Sequence, residues 1–390
     1  MKLEKKQKKR KICVVVTARA SYSRIKSALL AIDKHPDLQL QLVVAASALL
    51  EKYGSVVDVI KADGLKIDAK VYMVIEGENL VTSAKTTGVG IVELATIFDN
   101  LKPDMVLSIA DRYETIATAI TASFMNIPVI HVQGGEVTGS IDEKVRHAVT
   151  KLSNLHFVSN ESSYNRVIKM GESKGSVFIT GCPSIDLAKD LISGKQSINH
   201  EDLKKGVGAL LNPDKEYIMV MQHSVTLEWK GSEYQMNETL NAIDEIGIQC
   251  YWFWPNVDAG SDSGSKAIRA FRESGKGDNI RFIKNLPPEE FLILLLNSKC
   301  MVGNSSVGIR ESSFLGVPVV NIGSRQKGRD RGSNVIDVEH SRSEILGAIK
   351  QQISHGHYPS ESIYGDGGSG TRIADILSRV ELVIDKKITY

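Results

Sequence analysis

Apolar and polar positions alternate along the first half of the chain in a pattern that predicts strands separated by helices. Short continuous apolar runs at 12–16, 40–45, 104–110, 127–132, 156–159 and 177–180 predict buried parallel strands, because such strands have helices on both faces. Between them, apolar residues three and four positions apart predict helices at 22–35, 88–100, 114–125, 142–152 and 160–170. This alternation predicts a doubly wound α/β sheet.

A second series of the same kind follows a polar stretch. Strands are predicted at 217–222, 250–254, 280–283, 300–302 and 317–322, with helices at 233–246, 266–272, 287–297 and 307–315. We therefore expect a basic disordered tail at 1–11, a first domain at 12–186, a linker region at 187–212 and a second domain at 213–370. Two such domains would enclose a cleft between them.

Composition and charge exclude several classes of protein. The 390 residues carry a net charge of +2, which gives no argument for nucleic-acid or membrane partners. The basic run at 5–11 has no interleaved aromatic residues, so a solvated tail is favoured over a nucleic-acid or lipid contact. The four cysteines are scattered without metal-binding spacing, which predicts reduced thiols in a cytoplasmic protein and neither a disulfide framework nor a metal site.

Polar side chains cluster where the predicted strands of the first half end. Asp111 and Arg112 follow one strand, and Gln133 and Glu136 follow the next. Asp142, Arg146 and His147 lie on the helix after that, and His223 ends a strand of the second half. Ligands of open parallel sheets bind at the carboxyl ends of the strands, so these groups are candidate catalytic or substrate-binding residues. For His223 alone, a structural role is the commoner alternative.

The second half offers features of a nucleotide site. Ser305 and Ser306 stand at the predicted start of a helix, where free N–H groups bind phosphate, although Ser305 as a simple helix cap is an equal alternative. Glu311, further along that helix, is a plausible partner of ribose hydroxyls. The next strand is followed by Arg325, Lys327, Arg329 and Arg331, a group that suits a diphosphate- or base-binding loop, and Arg19 follows the first strand of the chain. No dinucleotide-binding or P-loop motif is present, so the predicted ligand is an anion, most simply a nucleotide.

At the level of motifs, the chain resembles the hydrolysing nucleotide-sugar 2-epimerases that act on UDP-N-acetylglucosamine in sialic acid biosynthesis. The resemblance covers nearly the whole chain after the basic tail. Its motifs include Arg19-Ala-Ser-Tyr-Ser23, Ile109-Ala-Asp-Arg112, His131-Val-Gln-Gly-Gly-Glu136, Gly139-Ser-Ile-Asp-Glu143, Arg146-His-Ala148, Gly181-Cys-Pro-Ser184, Pro255-Asn-Val-Asp-Ala-Gly260, Gly303-Asn-Ser-Ser306, Gly323-Ser-Arg-Gln326 and Tyr364-Gly-Asp-Gly367.

The resemblance implies a GT-B architecture, in which two Rossmann-like domains hold the active site between them and a final helix within 371–390 crosses back to the first domain. It implies that the nucleotide is bound by Arg19, Ser23, Arg112, Asn256, Ser305, Ser306, Glu311 and Arg325. It also implies that Asp111, Asp142 and His223 act near the sugar, and we expect Arg146 and His147 on the sugar and diphosphate side. The implied reaction yields N-acetylmannosamine and UDP without a cofactor or metal, in a homodimer or homotetramer.

Three positions depart from the common pattern of that family. Ser21 replaces an aspartate, Gln133 replaces a glutamate often assigned to catalysis, and Ser224 replaces a proline. Because a glutamine cannot act as a general base, we assign the proton transfers to Asp111 and Asp142, with Glu136 and His223 as further candidates.

Other activities remain open at this stage. The substrate could carry a 2,4-diacetamido-trideoxyhexose, as on the route to legionaminic acid, or GDP in place of UDP. A nucleotide-sugar binding protein that has lost catalysis is a further alternative, and a GT-B glycosyltransferase is disfavoured by the motifs.

Overall fold

The structure is a computed structural model that describes residues 8–51, 54–77, 79–109, 112–138, 141–194, 200–212, 214–255 and 260–389. It contains two seven-stranded sheets with helices on both faces, which confirms the predicted α/β class with two doubly wound sheets.

The first sheet is parallel throughout, in the order β3-β2-β1-β4-β5-β6-β7. Its strands are β1 (Arg10–Val16), β2 (Leu38–Ala45), β3 (Ala69–Val71), β4 (Met105–Ile109), β5 (Val129–Val132), β6 (Leu155–Val158) and β7 (Val177–Ile179). Strand β1 begins at Arg10, inside the expected tail, because Arg10 and Lys11 pair with the first residues of β2. The short strand β3 has no apolar run and was not predicted.

The helices of the first half are α1 (Arg19–Ser23), α2 (Lys26–Lys34), α3 (Val56–Ala62), α4 (Leu80–Leu101), α5 (Thr115–Phe124), α6 (Ile141–Leu152), α7 (Glu161–Lys169) and α8 (Pro183–Ser193). Helix α4 begins eight residues before the predicted start at residue 88. The reason is a capping box, in which Asn79 Oδ1 accepts from the N–H groups of Val81 and Thr82 while Thr82 Oγ1 accepts from the N–H of Asn79. The helix predicted at 22–35 is divided into α1 and α2.

The second sheet has the order β14-β13-β12-β9-β10-β11-β8, and only its edge strand β8 is antiparallel among the described pairings. Its strands are β8 (Val207–Gly208), β9 (Tyr217–Met221), β10 (Gln249–Phe253), β11 (Ile280–Ile283), β12 (Met301–Gly303), β13 (Val319–Ile322) and β14 (Val335–Val338). Its helices are α9 (His200–Lys204), α10 (Ser232–Ile246), α11 (Ser261–Glu273), α12 (Pro288–Leu296), α13 (Glu311–Leu315) and α14 (Arg342–His355).

One predicted helix of the second half is broken. The segment expected as a single helix at 307–315 is a 3₁₀ turn, Ser306–Gly308, followed by α13. The backbone turns between them at Ile309 and Arg310, and the Arg310 side chain is fully buried there. Glu311 therefore begins a new helix instead of lying along the one that starts at Ser306.

Two helices cross between the sheets, α8 and α15 (Ser369–Arg379). Helix α8 packs into the core of the second sheet through residues such as Ile185 and Leu191, so the expected boundary at 186 falls inside a helix and the expected linker is helical as far as Ser193. Helix α15 packs Ile373 and Leu377 into the core of the first sheet.

A buried carboxylate links the two crossing helices through hydrogen bonds. Asp186 of α8 accepts hydrogen bonds from the N–H groups of Ser369 and Gly370, at 2.9 and 2.7 Å, where α15 begins. It also accepts one from the hydroxyl of Ser27 in α2, at 2.8 Å. These contacts fix the two sheets relative to each other, so the cleft between them has defined walls.

Two further properties concern the whole described structure. Its four cysteines, Cys13, Cys182, Cys250 and Cys300, are buried free thiols. No helix in the described part of the chain has both the length and the apolar character needed to cross a membrane.

Candidate active site

A cleft lies where the carboxyl ends of the two sheets face each other. The order of each sheet reverses there, between β1 and β4 in the first and between β12 and β9 in the second, which is where open α/β sheets bind ligands. From the first half and α8, the cleft is lined by Arg19, Ala20, Ser23, Arg24, Arg112, Thr138, Asp142, Ser184 and Leu187. From the second half, it is lined by Met221, His223, Phe253, Asn285, Leu286, Pro288, Phe291, Leu292, Ser305, Ser306, Val307, Glu311, Arg325, Gln326 and Arg329.

The lining carries a large excess of positive charge. Its arginines among the described residues are Arg19, Arg24, Arg112, Arg325 and Arg329, and its carboxylates there are Asp142 and Glu311. Guanidinium groups recognise phosphates through paired hydrogen bonds. The cleft is therefore suited to a ligand with several negative charges.

Three of these arginines are held by neighbouring groups. Arg24 Nη2 donates across the cleft to the hydroxyl of Ser306 at 2.7 Å, and Arg19 Nη1 donates to the carbonyl of Lys284. Arg112 Nε bonds Glu114 at 2.7 Å. Burial, together with the charge of Arg112, lowers the pKa of Arg19 to about 10, so that Arg19 still carries its charge at neutral pH.

His223, two residues after the end of β9, lies deep in this cationic environment. The Asn304 side chain holds its backbone from both sides, because Oδ1 accepts from the N–H of His223 and Nδ2 donates to its carbonyl, each at 2.8 Å. Burial and then the charges of Arg325, Arg19 and Arg112 lower the pKa of His223 well below its usual range. The imidazole is therefore neutral at physiological pH and has one N–H to donate.

Asp142 is a carboxylate of the cleft wall that could exchange protons with a ligand. It lies in the first turn of α6 and is half-buried. The next residue, Glu143, links the first turn of α6 to Thr138, because its Oε2 accepts from the N–H of Thr138 at 2.6 Å. Thr138 and Asp142 both line the cleft.

Glu311 and the two serines lie on the opposite wall. Glu311 Oε2 is buried and has no hydrogen-bond partner among the described groups, so it is available to a ligand hydroxyl. Ser305 caps the 3₁₀ turn through a 3.5 Å bond from the N–H of Val307. Ser305 therefore has the capping role and also lies in the cleft lining.

Two expected catalytic residues lie outside the lining. Gln133 is buried in a left-handed conformation with φ of 68°, and its Nε2 donates to Cys182 Sγ at 2.9 Å. Glu136 is 2% exposed and is ion-paired with Arg310 and Arg329. This geometry does not favour proton transfer by either side chain, because neither faces the cleft.

The expected pair on the sugar and diphosphate side also lies behind the wall. Arg146 is fully buried and donates from Nη1 to the carbonyl of Glu136 at 2.7 Å and to Thr138 Oγ1 at 3.0 Å. His147 is 42% exposed and contacts Glu143 at 2.9 Å. Neither residue is in the lining of the cleft. Two further predicted residues, Asp111 and Asn256, lie outside the described residues.

Arg329 lies in the loop after β13, where the sequence predicts a group of cations, and it lines the cleft. Other lining residues were not predicted, among them Arg24, which follows a short helix and not a strand. An apolar group formed by Phe253, Phe291 and Leu292 also lines one part of the cleft, where a flat ring could pack. Among the described residues, no group of three histidine, cysteine, aspartate or glutamate side chains could hold a metal ion.

Comparison with known families assigns the chain to one of them. The family model described as UDP-N-acetylglucosamine 2-epimerase matches residues 30–378. A UDP-N,N'-diacetylbacillosamine 2-epimerase (hydrolyzing) of Legionella pneumophila is 33% identical over 96% of this chain and 97% of its own length. A UDP-N-acetylglucosamine 2-epimerase of Neisseria meningitidis is 30% identical over 96% of both chains, and a GDP/UDP-N,N'-diacetylbacillosamine 2-epimerase (hydrolyzing) of Campylobacter jejuni is 33% identical over 85% of both.

Solved structures agree on the fold. The crystal structure of the Neisseria meningitidis enzyme bound to UDP-GlcNAc superposes with a TM-score of 0.76 at 19% identity, covering 94% of this chain and 99% of that one. The Methanocaldococcus jannaschii UDP-GlcNAc 2-epimerase in complex with UDP-GlcNAc and UDP has the same score at 18% identity, with the same coverage. The expected GT-B architecture is confirmed.

Proposed function

The chain belongs to the UDP-N-acetylglucosamine 2-epimerase family, and within it we propose a hydrolysing enzyme that converts UDP-N-acetylglucosamine and water to N-acetylmannosamine and UDP. One observation carries this proposal. A cleft with five lining arginines brings together a carboxylate, Asp142, and a neutral imidazole, His223. Such a cleft can stabilise a departing diphosphate and move protons at the sugar.

The nucleotide is assigned to the wall formed by the second half. Ser305, Ser306 and Arg325 are proposed to bind the diphosphate, and Glu311 the ribose hydroxyls, because its buried Oε2 has no other partner among the described groups. Arg19, Ser23 and Arg112 complete the diphosphate site from the opposite wall. The apolar group at Phe253 and Phe291 supplies a surface for the base.

The first step is proposed to be an elimination. The proton on C2 of the sugar is not acidic in the ground state, but departure of UDP from C1 builds positive charge on the ring and makes this proton labile. A carboxylate removes the proton from C2, the C1–O bond breaks with its electron pair leaving on UDP, and a double bond forms between C1 and C2. The arginines stabilise the diphosphate as its charge develops, and the N–H of neutral His223 can donate to it.

The second step is proposed to be hydration of the resulting 2-acetamidoglucal. Water adds its oxygen to C1, and a proton is delivered to C2 on the face opposite to the one from which it was removed. The product is N-acetylmannosamine with inverted configuration at C2, and the net reaction consumes one water. Asp111, Asp142 and His223 are proposed to supply the acid–base chemistry of these two steps.

The proton transfers are assigned to Asp142 and Asp111. Gln133 is an amide that cannot accept a proton, and Glu136 has its oxygens bound away from the cleft. Replacement of Asp142 or Asp111 by asparagine should abolish turnover while UDP still binds. Full activity in both variants would contradict the assignment.

A second candidate changes the sugar and leaves the chemistry the same. The relatives from Legionella pneumophila and Campylobacter jejuni bear names that specify diacetylbacillosamine linked to UDP or to GDP and UDP. A 2,4-diacetamido-trideoxyhexose undergoes the same elimination, because the reacting atoms are C1 and C2 in both sugars. The groups at C4 and C6 of the sugar then decide which of the two substrates the enzyme prefers.

A substrate panel distinguishes these proposals. The protein is incubated with UDP-N-acetylglucosamine, GDP-N-acetylglucosamine and UDP-N,N'-diacetylbacillosamine, and free nucleotide and free sugar are separated by chromatography. The main proposal predicts the highest kcat/KM for UDP-N-acetylglucosamine. A higher value for the diacetamido sugar would favour the second candidate, and tight UDP binding without turnover of any substrate would indicate a binding protein. We also propose a cytoplasmic homodimer or homotetramer, to be checked by light scattering.

A further inference from the structure

We propose that Glu136 is a positioning residue, whose carboxylate, carried by the first half, holds Arg329 of the second half in the wall of the cleft. The inference rests on the proposed function, because the ligand that Arg329 would meet is the diphosphate of the nucleotide. It assigns Glu136 a role different from proton transfer.

The contacts of Glu136 cross from one half of the molecule to the other. Its Oε2 lies 2.8 Å from Arg310 Nη2 and 3.2 Å from Arg329 Nη2, and its Oε1 accepts from the Ser159 hydroxyl at 2.7 Å. The side chain is 2% exposed. With both oxygens engaged and water excluded, the carboxylate is a fixed anchor for the two arginines.

Arg329 reaches the cleft while it is held from both halves. Its Nε donates to the carbonyl of Val137 at 3.0 Å, next to Glu136, and its Nη1 donates to Gln326 Oε1 at 3.1 Å. Gln326 Nε2 in turn donates to the carbonyl of Asn304 at 2.8 Å. The Asn304 side chain hydrogen-bonds the backbone of His223. Polar contacts therefore connect Glu136, through Arg329, to His223 in the cleft.

Arg310 extends the same network to another part of the wall. It is 1% exposed, and its Nη1 lies 3.5 Å from the hydroxyl of Ser306, which also accepts from Arg24 at 2.7 Å. Glu136 thus stands at the start of two chains of polar contacts that end at residues lining the cleft, Arg329 and Ser306.

The negative charge of Glu136 and the position of Arg329 that it fixes should have opposite effects on UDP binding. The proposal can therefore be tested by measuring UDP affinity. Burial alone raises the pKa of Glu136, but the charges of Arg310, Arg329 and Arg146 outweigh it and lower that pKa to about 2, so the group is an anion at neutral pH. Removing a buried anion makes the potential of the cleft more positive and would tighten the binding of UDP. If Arg329 moves out of position, its hydrogen bonds to the diphosphate are lost and the binding of UDP becomes weaker.

The first test measures UDP affinity by titration calorimetry for the unaltered protein, Glu136→Gln and Glu136→Asp. The aspartate keeps the charge but retracts the carboxylate by one carbon–carbon bond, about 1.5 Å. We expect both variants to bind UDP about tenfold more weakly or worse, since hydrogen bonds to charged groups are lost. Unchanged or tighter binding by Glu136→Gln would overturn the proposal, as would normal binding by a folded Glu136→Asp.

Glu172→Gln is the matched control for general loss of stability. Glu172 is 3% exposed and ion-paired with Lys151 and Lys386, and it does not line the cleft. We expect this variant to lose stability but to retain the UDP affinity of the unaltered protein. An equal loss of affinity in Glu172→Gln would show that destabilisation alone explains the result, and would overturn the proposal.

A double-mutant cycle tests whether Glu136 acts through Arg329. If it does, Glu136→Gln should not weaken UDP binding further in an Arg329→Gln background, whereas independent effects would multiply and contradict the proposal. UDP binding by the unaltered protein tests the proposed function separately. Failure of that protein to bind UDP would overturn both proposals, while normal binding by it and by Glu136→Gln would overturn this inference alone.

Discussion

Replacement of Glu136 by glutamine should lower the free energy of unfolding, and the structure gives the size of this loss. The variant keeps the shape of the side chain but leaves Arg310 and Arg329 without their shared anion. The pKa of Glu136 falls from 4.5 in the unfolded chain to about 2 in the folded protein. At about 1.4 kcal/mol per pKa unit, the charged carboxylate contributes about 3 kcal/mol to the free energy of unfolding. Breaking a buried ion pair by removing one partner costs a similar amount, about 3–5 kcal/mol.

The dependence of this contribution on pH has a definite sign. Because the folded-state pKa is the lower one, the stabilisation is complete above pH 4.5 and disappears as the pH falls through 2. The difference in stability between the unaltered protein and Glu136→Gln should therefore be about 3 kcal/mol at pH 7 and about 2 kcal/mol at pH 3.5.

Urea unfolding at these two pH values, followed by tryptophan fluorescence and by circular dichroism, measures the difference. The three tryptophans, Trp229, Trp252 and Trp254, all belong to the second half, so fluorescence reports on that half and circular dichroism on both. A loss of less than about 1 kcal/mol at pH 7, or a loss that grows on acidification, would refute the account of Glu136 as a buried anionic anchor.

Three further changes have expected outcomes. Asp142→Asn should reduce kcat about a hundredfold or more with UDP affinity unchanged by calorimetry, since general acid–base catalysis contributes factors of about 10²–10⁴. Retention of more than a tenth of the activity would contradict its role. Gly303→Ala should lower the free energy of unfolding, measured in urea, by about 1–3 kcal/mol. The reason is that φ is 129° at Gly303 and a Cβ would lie 2.2 Å from the carbonyl oxygen of Met221. An unchanged free energy of unfolding would show that the strand end relaxes. Lys386→Met should cost about 1–3 kcal/mol by the same measurement, because Lys386 Nζ bonds buried Glu172 at 2.7 Å, and an unchanged unfolding midpoint would show that the C-terminal segment is not anchored there.

The strands were predictable from sequence because both sheets are covered on both faces. Runs such as 12–16 and 127–132 are continuously apolar for that reason, and they correspond to β1 and β5. The edge strands β3 and β14 were missed, since partial exposure leaves them with mixed composition. The start of α4 was missed because its capping box uses Asn79 and Thr82 instead of the commoner serine and glutamate.

The candidate site was predictable where a residue lies soon after a strand or in the first turn of the helix that follows it. Asp142, His223 and Arg325 line the cleft because the carboxyl ends of neighbouring strands meet. Arg24 was missed because a contact across the two halves places it, and no local pattern encodes such a contact. For the same reason sequence could not separate Glu136, a buried anchor, from the carboxylates that face the ligand.

The fate of the C2 hydrogen distinguishes elimination followed by hydration from other reactions of the nucleotide sugar. The protein is incubated with UDP-N-acetylglucosamine in deuterated water, and the products are followed by NMR. Elimination followed by hydration should give equal amounts of UDP and N-acetylmannosamine, with one solvent deuterium at C2 of the sugar. Retention of the original hydrogen at C2, or release of an epimerised sugar still attached to UDP, would contradict elimination followed by hydration in this cleft.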